Sequence, residues 1–433
     1  MADRRSPGCR DAARPMSRLA APGLGGAPGP ASGDEAMRRG VVQLGAGPVQ
    51  RGLLERFREN GLVPILVDRN ERPAGRVPGS LHVRAPIDEP QTIVRALQEA
   101  RSDRRLAGVG IGAVLTSTDL GVASVPVVAR ALDLPHASID SIATMDDKAL
   151  ARRVLSEAGV RVPEGWLGRR PCDIPALETD REWIVKPVDS SGSRGVRRIR
   201  GPVALAHAIE NALAFSDRFL VEECIDGIHL DINGLVIDGR FELVSIGRRH
   251  FTRPPACVPI HGGIAGGWSA SLAEEVVRLM QASVAAFDYR HGPVKADLIQ
   301  DERGLVVLEL AARFHGDVFS HHVAEAAGRP PAALVWLARL GLCPKPVEGP
   351  RHGGWFGVFA EKAGTIRAIE GLDEVRSLPG FRTWIPRLGP GDPVGSPEDN
   401  RALVGFGLIG FDRTEDLWAE ADRRRQMIRV ALD

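Results

Sequence analysis

The sequence predicts a multidomain protein of the α/β and α+β classes, and three observations support that prediction. The chain has 433 residues, which is enough for two to four domains with large hydrophobic cores. Its first structured stretch alternates short apolar strands with amphipathic helices, the pattern of a parallel sheet. Later stretches instead contain hairpin patterns and glycine-rich turns. We therefore expect a parallel sheet near the start and mixed structure after it.

Composition excludes several classes of function. The formal net charge is +1 and no long basic stretch is present, so a role with nucleic acid or an anionic membrane is not expected. No apolar run approaches about 18 residues, so no membrane span is expected. Five scattered cysteines without a CxxC pair argue against a disulfide framework or a zinc site and favour a reducing cytoplasm.

The N-terminal 38 residues differ from the rest of the chain. They are rich in Pro, Gly, Ala and Arg and show no sustained apolar period. They also lack the apolar core of a secretion signal. We predict that residues 1–38 form a disordered extension.

A Rossmann-like domain is predicted for residues 39–140. The strand VVQLGAG is followed by a helix that stops at Gly61 and by a strand that ends at Asp68. The GxG of Gly45 and Gly47 is not a dinucleotide fingerprint, because Gly52 comes too late for the third glycine. The remaining elements expected here are strands at 107–116 and near His136, and helices at 89–100 and 120–132.

The segment IVKPVDSSGSRGV, Ile184 to Val196, is the most informative in the chain. An apolar strand leads to Lys186 and then to a loop of small residues whose backbone N–H groups can approach an anion closely. No Gly-Lys-Ser/Thr triplet closes the loop, so it is not a P-loop. By itself such a segment is either a phosphate site or an ordinary turn, and the rest of the chain decides between them.

Three further motifs surround this loop. We expect a helix capped by Asp146 with Lys148 in its first turn. The segment FLVEECIDGIHLDI, 219–232, has the pattern of two strands joined by an acidic hinge and a glycine turn. A hairpin over 292–317 places Asp297 and Glu309 on neighbouring strands, where both carboxylates can face one hard cation such as Mg²⁺.

This order of motifs resembles the ATP-grasp superfamily, and within it the carboxylate-amine ligases such as the L-amino acid and dipeptide ligases. The likeness covers roughly Asp147 to Leu340. It implies an ATP-grasp fold over 141–345, with subdomains at 141–220 and 221–345. The Rossmann-like part would then be a pre-ATP-grasp domain, and residues 346–433 a small β-rich capping domain.

The resemblance also implies an ATP site. Two lysines would meet the triphosphate, the small-residue loop would cover it, the hinge would bind adenine through backbone groups, and His229 would replace the acid that often binds the ribose. The implied ATP-binding residues are Lys148, Lys186, Ser190, Ser191, Gly192, Ser193, Gly195, Glu222, Glu223, Cys224, Ile225 and His229.

For Mg²⁺ or Mn²⁺, the resemblance implies Asp297 and Glu309 as ligands. Arg313 matches the arginine of the Glu-x-Asn-x-Arg motif, whereas Ala311 stands at its asparagine position, which puts a second metal ion in doubt. Arg313 and Lys186 are the implied catalytic residues, with Arg313 stabilising negative charge on the phosphoryl group and the tetrahedral intermediate.

The implied activity is an ATP-dependent carboxylate-amine ligase that forms an amide through an acylphosphate and releases ADP and phosphate. Two alternatives stay open, namely a carboxylase that activates bicarbonate and a degenerate protein that binds ATP without turnover. The expected partners are a small-molecule carboxylate and a small-molecule amine, which the family implies to be amino acids, without nucleic acid or membrane. The expected oligomeric state is a homodimer.

The candidate substrate-binding residues come from two segments of the chain. The segment 245–268 combines arginines, histidines and a glycine-rich turn where related enzymes hold a substrate loop, and more polar residues follow Arg313. The candidates are Arg248, Arg249, His250, His261, His315 and Asp317. His321 and His322 also follow Arg313, but neighbouring side chains on an α-helix point about 100° apart, so a shared metal ion is not expected.

Overall fold

The computed structural model of the protein shows the chain from Met37 onward. It describes residues 37–190, 192–264, 268–316, 318–345, 352–395, 397–398 and 402–433, without the side chains of 318–319 and 414–416. The predictions for residues 1–36, Ser191 and Asp317 lie outside the described residues. In the part described, no helix is long and apolar enough to cross a membrane.

The N-terminal part is a four-stranded parallel sheet with helices, which confirms the Rossmann-like prediction. Its strands are β1 (Arg38–Leu44), β2 (Leu62–Asp68), β3 (Leu81–Arg84) and β4 (Val109–Thr116), and its helices are α1 (Arg51–Glu59), α2 (Pro90–Ser102) and α3 (Ser124–Ala131). The strand order is β3-β2-β1-β4. Apolar residues fill both faces of β1 and β2, as expected for a sheet covered on each side.

Two details predicted for this part are wrong. No strand forms near His136, where the chain runs as a loop into the next helix. The helix expected from Leu120 begins at Ser124, because Asp119–Gly121 forms a separate 3₁₀ turn. This turn follows the carboxyl end of β4, the edge at which parallel sheets usually bind ligands.

A second, antiparallel sheet holds the small-residue loop. Two helices precede it, and the elements are α4 (Ile139–Asp146), α5 (Lys148–Glu157), β5 (Gly165–Gly168), β6 (Glu182–Pro187), β7 (Arg197–Arg200), α6 (Pro202–Leu213) and β8 (Phe219–Glu223). The strand order is β5-β8-β6-β7. The turn between β6 and β7 therefore emerges at the sheet edge beside α5.

The cap of α5 differs from the prediction. Asp146 is the last residue of α4, and Asp147 caps α5 by accepting hydrogen bonds from the N–H groups of Ala149 and Leu150 at 3.0 and 2.9 Å. Lys148 is consequently the first residue of the helix. A second helix directly before the cap, which the sequence pattern did not separate from α5, accounts for the shift by one residue.

An eight-stranded antiparallel sheet forms the largest part of the structure. Its order is β13-β12-β9-β10-β11-β14-β18-β16. The strands are β9 (Ile228–Ile237), β10 (Arg240–Phe251), β11 (Pro259–Ile264), β12 (Gly292–Asp301), β13 (Gly304–Ala311), β14 (His352–Phe359), β16 (Phe381–Pro386) and β18 (Leu403–Phe411). Its helices are α7 (Ala270–Ala286), α8 (Ala324–Ala326) and α9 (Ala332–Arg339), with a π-helix at Val318–Val323 before α8.

The C-terminal part joins this large sheet through β14, β18 and β16 and adds a small sheet of its own. The remaining elements are β15 (Gly364–Glu370), α10 (Leu372–Ser377), β17 (Pro393–Val394), α11 (Thr414–Met427) and β19 (Arg429–Leu432). β14 and β15 are separate strands in different sheets. The helix α11 ends at Met427, and the following strand β19 pairs with β15.

The main hydrophobic core lies between α7 and the large sheet. Val276, Met280 and Val284 form the buried stripe of α7, with a spacing of four residues, and pack with Leu230 and Ile232 of β9. All five side chains are fully or almost fully buried. The strands that hold the hinge and the acidic pair are therefore anchored by this helix.

We predict that Met280→Ala lowers the free energy of unfolding by about 2–5 kcal/mol, because it leaves a cavity in this core. Chemical denaturation monitored by circular dichroism would measure the change. The control Arg278→Ala, on the solvent side of α7, is expected to change it by less than about 1 kcal/mol. Equal effects of both substitutions would contradict the packing of α7 described here.

Candidate functional site

A cavity of about 510 Å³ lies where three of the sheets meet. This volume is in the range of ligand-binding clefts. The sequence-predicted residues that line it are Lys148, Lys186, Ser190, Gly192, Ser193, Glu222, Glu223, Cys224, Ile225, His229, Arg249, Asp297, Glu309, Arg313 and His315. The fold thus brings most of the predicted site into one cleft.

The small-residue loop has a backbone that glycine makes accessible. Gly192 and Gly195 have φ values of +69° and +76°, and Ser193 also has a positive φ. Gly195 itself does not line the cavity; a Cβ there would lie 2.9 Å from the Phe215 ring. The loop is held by Lys148, whose Nζ donates to the Ser190 carbonyl at 2.7 Å. The first lysine and the loop therefore form one unit at the cavity wall.

Lys186 is positioned by a buried acid. Its Nζ lies 2.7 Å from Glu222 Oε2, while Arg152 donates to the other oxygen of Glu222 at 3.0 Å. Glu222 is almost fully buried, so two positive partners compensate its charge. Glu223 instead pairs with Arg181 at 2.6 Å. Both hinge acids thus form ion pairs with cations of neighbouring elements.

His229 lies on the cavity wall in β9, next to Phe251, with ring centroids 4.6 Å apart. Burial, followed by the charge of Arg249, lowers the pKa of His229 below its usual value. The imidazole is therefore neutral at neutral pH and can either donate or accept a hydrogen bond.

The two predicted metal ligands face each other across the hairpin. Asp297 and Glu309 are direct neighbours in the register of β12 and β13. Lys295 Nζ lies between them, 3.2 Å from Asp297 Oδ2 and 3.6 Å from Glu309 Oε2. Burial opposes ionisation of Asp297, but the charges of Lys295 and Arg249 outweigh it and hold its pKa well below the usual range.

This arrangement fits a hard cation, because two half-buried carboxylates already converge on a positive group. Burial likewise opposes ionisation of Glu309, but the charges of Lys295 and Lys148 keep its pKa below the usual value. The carboxylates of Asp297 and Glu309 are therefore both charged ligands at neutral pH. Ala311 lies directly opposite Lys295 in the register. Lys295 thus contacts both carboxylates next to Ala311, the position at which the Glu-x-Asn-x-Arg motif has an asparagine.

Three polar residues around Asp297 were not predicted from the sequence. The first is Lys295. The second is Asp231 of β9, which pairs with Arg249 and lies opposite Asp297 of β12. Asn233, the third, accepts a hydrogen bond from the His315 backbone N–H at 2.8 Å. Lys295 stands two residues before Asp297 and therefore on the same strand face, a signal that could have identified it. Asp231 could be identified only once the pairing of β9 with β12 was known.

Arg313 connects the cleft to the N-terminal sheet. It donates from Nε and Nη2 to Asp119 Oδ1 at 2.6 and 2.5 Å, and from Nη1 to the Phe314 carbonyl at 2.7 Å. Arg313 is buried, whereas Asp119 is partly exposed in the turn after β4. This ion pair fixes the guanidinium at the cavity, and Asp119 is a site residue that the sequence did not reveal.

The structure divides the predicted substrate residues into two groups. Arg249 and His315 line the cavity and contact Asp297 at 3.0 and 2.8 Å, so they support the acidic pair. Arg248, His250 and His261 lie elsewhere, on the opposite face of β10 and β11. His250 and His261 stack with centroids 4.3 Å apart, and Trp418 of α11 packs beside His250 and Arg248.

We predict that Lys295→Met strengthens Mn²⁺ binding by roughly tenfold, because the substitution removes a positive charge that competes for the carboxylates. Electron paramagnetic resonance of the free ion would measure the affinity. The control Lys362→Met removes an exposed lysine outside the hairpin and should leave the affinity for Mn²⁺ unchanged. Unchanged or weaker binding in the Lys295 variant would show that the ion does not use this pair.

We predict that the stacked histidines make stability depend on pH. Burial lowers the pKa of His250 and of His261 to about 4, against an ordinary value of 6.5, with smaller contributions from Arg248 and from the neighbouring ring. Between these values the unfolded chain binds more protons, so the stabilisation is complete above about pH 6.5 and is lost as pH falls towards 4.

The measurement is urea denaturation across this pH range. His250→Gln should flatten the dependence of unfolding free energy on pH, whereas His207→Gln, on the exposed face of α6, should not. If the curves of unfolding free energy against pH ran parallel for the two variants, His250 and His261 would remain ionisable in the folded state.

Comparisons with known proteins agree with this geometry. Residues 145–317 match a family model described as an ATP-grasp domain, and residues 358–433 match one described as the L-amino acid ligase C-terminal domain 2. Together the two models cover more than half of the chain. The first spans both lysines, the loop, the hinge, the acidic pair and Arg313.

Among curated proteins, an uncharacterised protein of Sinorhizobium fredii is 26% identical over 317 residues, which cover 68% of this chain and 63% of that protein. A D-alanine–D-alanine ligase of Coprothermobacter proteolyticus is 31% identical over 25% of this chain and 38% of its own length. The chain thus spans less than two thirds of the length of these relatives.

Among solved structures, the L-amino acid ligase from Bacillus licheniformis superposes with a TM-score of 0.76 and 19% identity, covering 91% of this chain and 99% of the other. N5-carboxyaminoimidazole synthetase from Staphylococcus aureus, complexed with ADP, gives a TM-score of 0.68 at 14% identity, with 89% and 96% coverage. These likenesses show a shared fold. The two family models show an ATP-grasp domain at residues 145–317 and the C-terminal domain 2 of the L-amino acid ligases at residues 358–433.

Proposed function

We propose that this protein is an ATP-dependent carboxylate-amine ligase that forms an amide or peptide bond through an acylphosphate. One observation supports the proposal above all others. A single cleft contains two lysines and a small-residue loop for phosphates, two facing carboxylates for a divalent cation, and a buried arginine for developing negative charge. This is the set of groups that phosphoryl transfer requires, without any nucleophile from the protein.

In this proposal ATP lies along the cleft with its phosphates at the loop. Lys148 and Lys186 contact phosphate oxygens, and each is already held in place, by the Ser190 carbonyl and by Glu222. The hinge from Glu222 to Ile225 and the neutral His229 contact the nucleoside. Mg²⁺ or Mn²⁺ held by Asp297 and Glu309 would neutralise phosphate charge.

The proposed reaction has two steps. An oxygen of the carboxylate substrate attacks the γ-phosphorus, the bond to the bridging oxygen breaks, and ADP leaves. The amine then attacks the acyl carbon, loses a proton, and inorganic phosphate leaves with the bonding electrons. Arg313 stabilises the negative charge on the phosphoryl group and on the tetrahedral intermediate, and Asp119 keeps its guanidinium oriented.

The C-terminal domain favours the ligase over a bicarbonate-activating carboxylase, since it matches the domain of L-amino acid ligases. D-Alanine–D-alanine ligase is also among the similar proteins. We therefore propose amino acids as the carboxylate and amine substrates. A cytoplasmic location and a homodimer belong to the same proposal, and light scattering after gel filtration would test the second.

We predict that the purified chain with ATP, Mg²⁺ and pools of amino acids releases ADP and phosphate only when both a carboxylate and an amine are present. Glu309→Gln should lower the rate by about 10²-fold or more, because it removes one charged oxygen ligand and leaves Lys295 without that partner. Coupled assays of ADP and phosphate, with mass spectrometry of the product, measure the outcome.

The matched control is Glu302→Gln, an exposed residue in the turn of the same hairpin, which should retain activity. Turnover that depends on bicarbonate and needs no amine would instead select the carboxylase. ATP bound without turnover under every substrate mixture would select the degenerate nucleotide-binding protein.

A further inference from the structure

A second cluster of metal-binding side chains lies outside the ATP cleft. The π-helix Val318–Val323 and α8 pack against α1 of the N-terminal sheet. Their side chains His321, His322 and Glu325 offer ligand atoms that all lie within 4.8 Å of one another. Nothing in the proposed ligase reaction uses these residues.

His321 is the unusual member of this cluster. Its side chain is only 1% exposed, and neither ring nitrogen has a hydrogen-bond partner among the described residues. A buried polar group without a partner destabilises the folded state, and such groups are rare in native proteins. Nε2 points towards Glu325 Oε2 but remains 3.6 Å away, beyond hydrogen-bond distance. A bound ion would satisfy this nitrogen.

The other two ligands are oriented by their surroundings. His322 Nε2 lies 3.1 Å from the Val49 carbonyl, so this nitrogen carries the proton and the lone pair is on Nδ1. Arg56 binds Glu325 through Oε1, whereas Oε2 faces His321. Glu325 thus keeps one oxygen for Arg56 and directs the other towards His321.

Space beside the rings depends on Gly52 of α1. A Cβ at Gly52 would lie 2.5 Å from His321 Nε2 and 2.9 Å from His322 Cε1. Glycine therefore leaves a cradle between α1 and the two imidazoles.

The π-helix removes the premise of the sequence argument against this pair, which assumed an α-helix. In an α-helix, adjacent histidines diverge by about 100°. The wider π-turn places the rings of His321 and His322 with centroids 4.3 Å apart and brings Glu325 to the same side. Such turns are frequent at functional sites.

We propose that His321, His322 and Glu325 form a site for a borderline divalent transition metal such as Zn²⁺, which links the π-helix to α8. Two imidazoles and one carboxylate are typical Zn²⁺ ligands, with a fourth position for water. Imidazole ligands disfavour Mg²⁺, so this site and the carboxylate pair of the ATP cleft select different ions. Arg56 opposes a cation, but Glu55 and Glu59 lie beside Glu325 and offset its charge.

The test uses the full chain, stripped with a chelator and titrated with Co²⁺ in excess Mg²⁺, which occupies oxygen-only sites. One equivalent of Co²⁺ should bind with visible ligand-field absorption, and Zn²⁺ should displace it and raise the midpoint of thermal unfolding. His322→Ala and Glu325→Gln should each weaken Co²⁺ binding by at least about tenfold. His207→Ala, which removes an exposed histidine from α6, should bind as the parent chain does.

Absence of Co²⁺ binding, or equal binding by the His322 and Glu325 variants, would overturn the proposal. Because changes at a buried cluster can unfold the chain, X-ray absorption of the Zn²⁺-loaded parent chain provides a test without mutation. Two imidazole ligands in the spectrum would support the site, and none or one would refute it. Neither result depends on ligase activity.

Discussion

The half-buried carboxylate of Asp297 is the group on which the candidate site depends. Lys295, Arg249 and His315 all contact it, and Asp231 shares Arg249 with it. A buried charge is stable only when such partners surround it, and removal of one partner would leave an uncompensated ion. The network also sets the electrostatics of the cleft, because it keeps Asp297 ionised in spite of its burial.

Ion pairs hold the charged groups of the cleft in place both between sheets and within one sheet. Arg313 joins the end of the large sheet to Asp119 of the N-terminal part, and Lys186 pairs with Glu222 across the neighbouring strands β6 and β8. These contacts hold the positive groups before any ligand arrives. Such preorganisation reduces the reorganisation that charge development in a reaction would otherwise require.

Motifs confined to one short segment could be read from the sequence. The loop after Lys186, the facing positions of Asp297 and Glu309 and the parallel N-terminal sheet follow from local patterns, since a turn, a hairpin or a βαβ unit is built by neighbouring residues. Asp119, Asp231 and Asn233 could not be found in this way. They reach the site only because distant strands pair and the N-terminal sheet lies against the cleft.

The sequence alone determined the class of protein and the types of group in its site, because these depend on residue identity and short spacings. Tertiary structure decided which candidates share the cleft. Arg248 and Arg249 are adjacent, yet the alternation of strand faces sends Arg249 to Asp297 and Arg248 to Trp418. His321 and His322 meet because the chain forms a π-turn there. Strand register and helix type depend on packing against distant residues, so the local sequence pattern does not determine them.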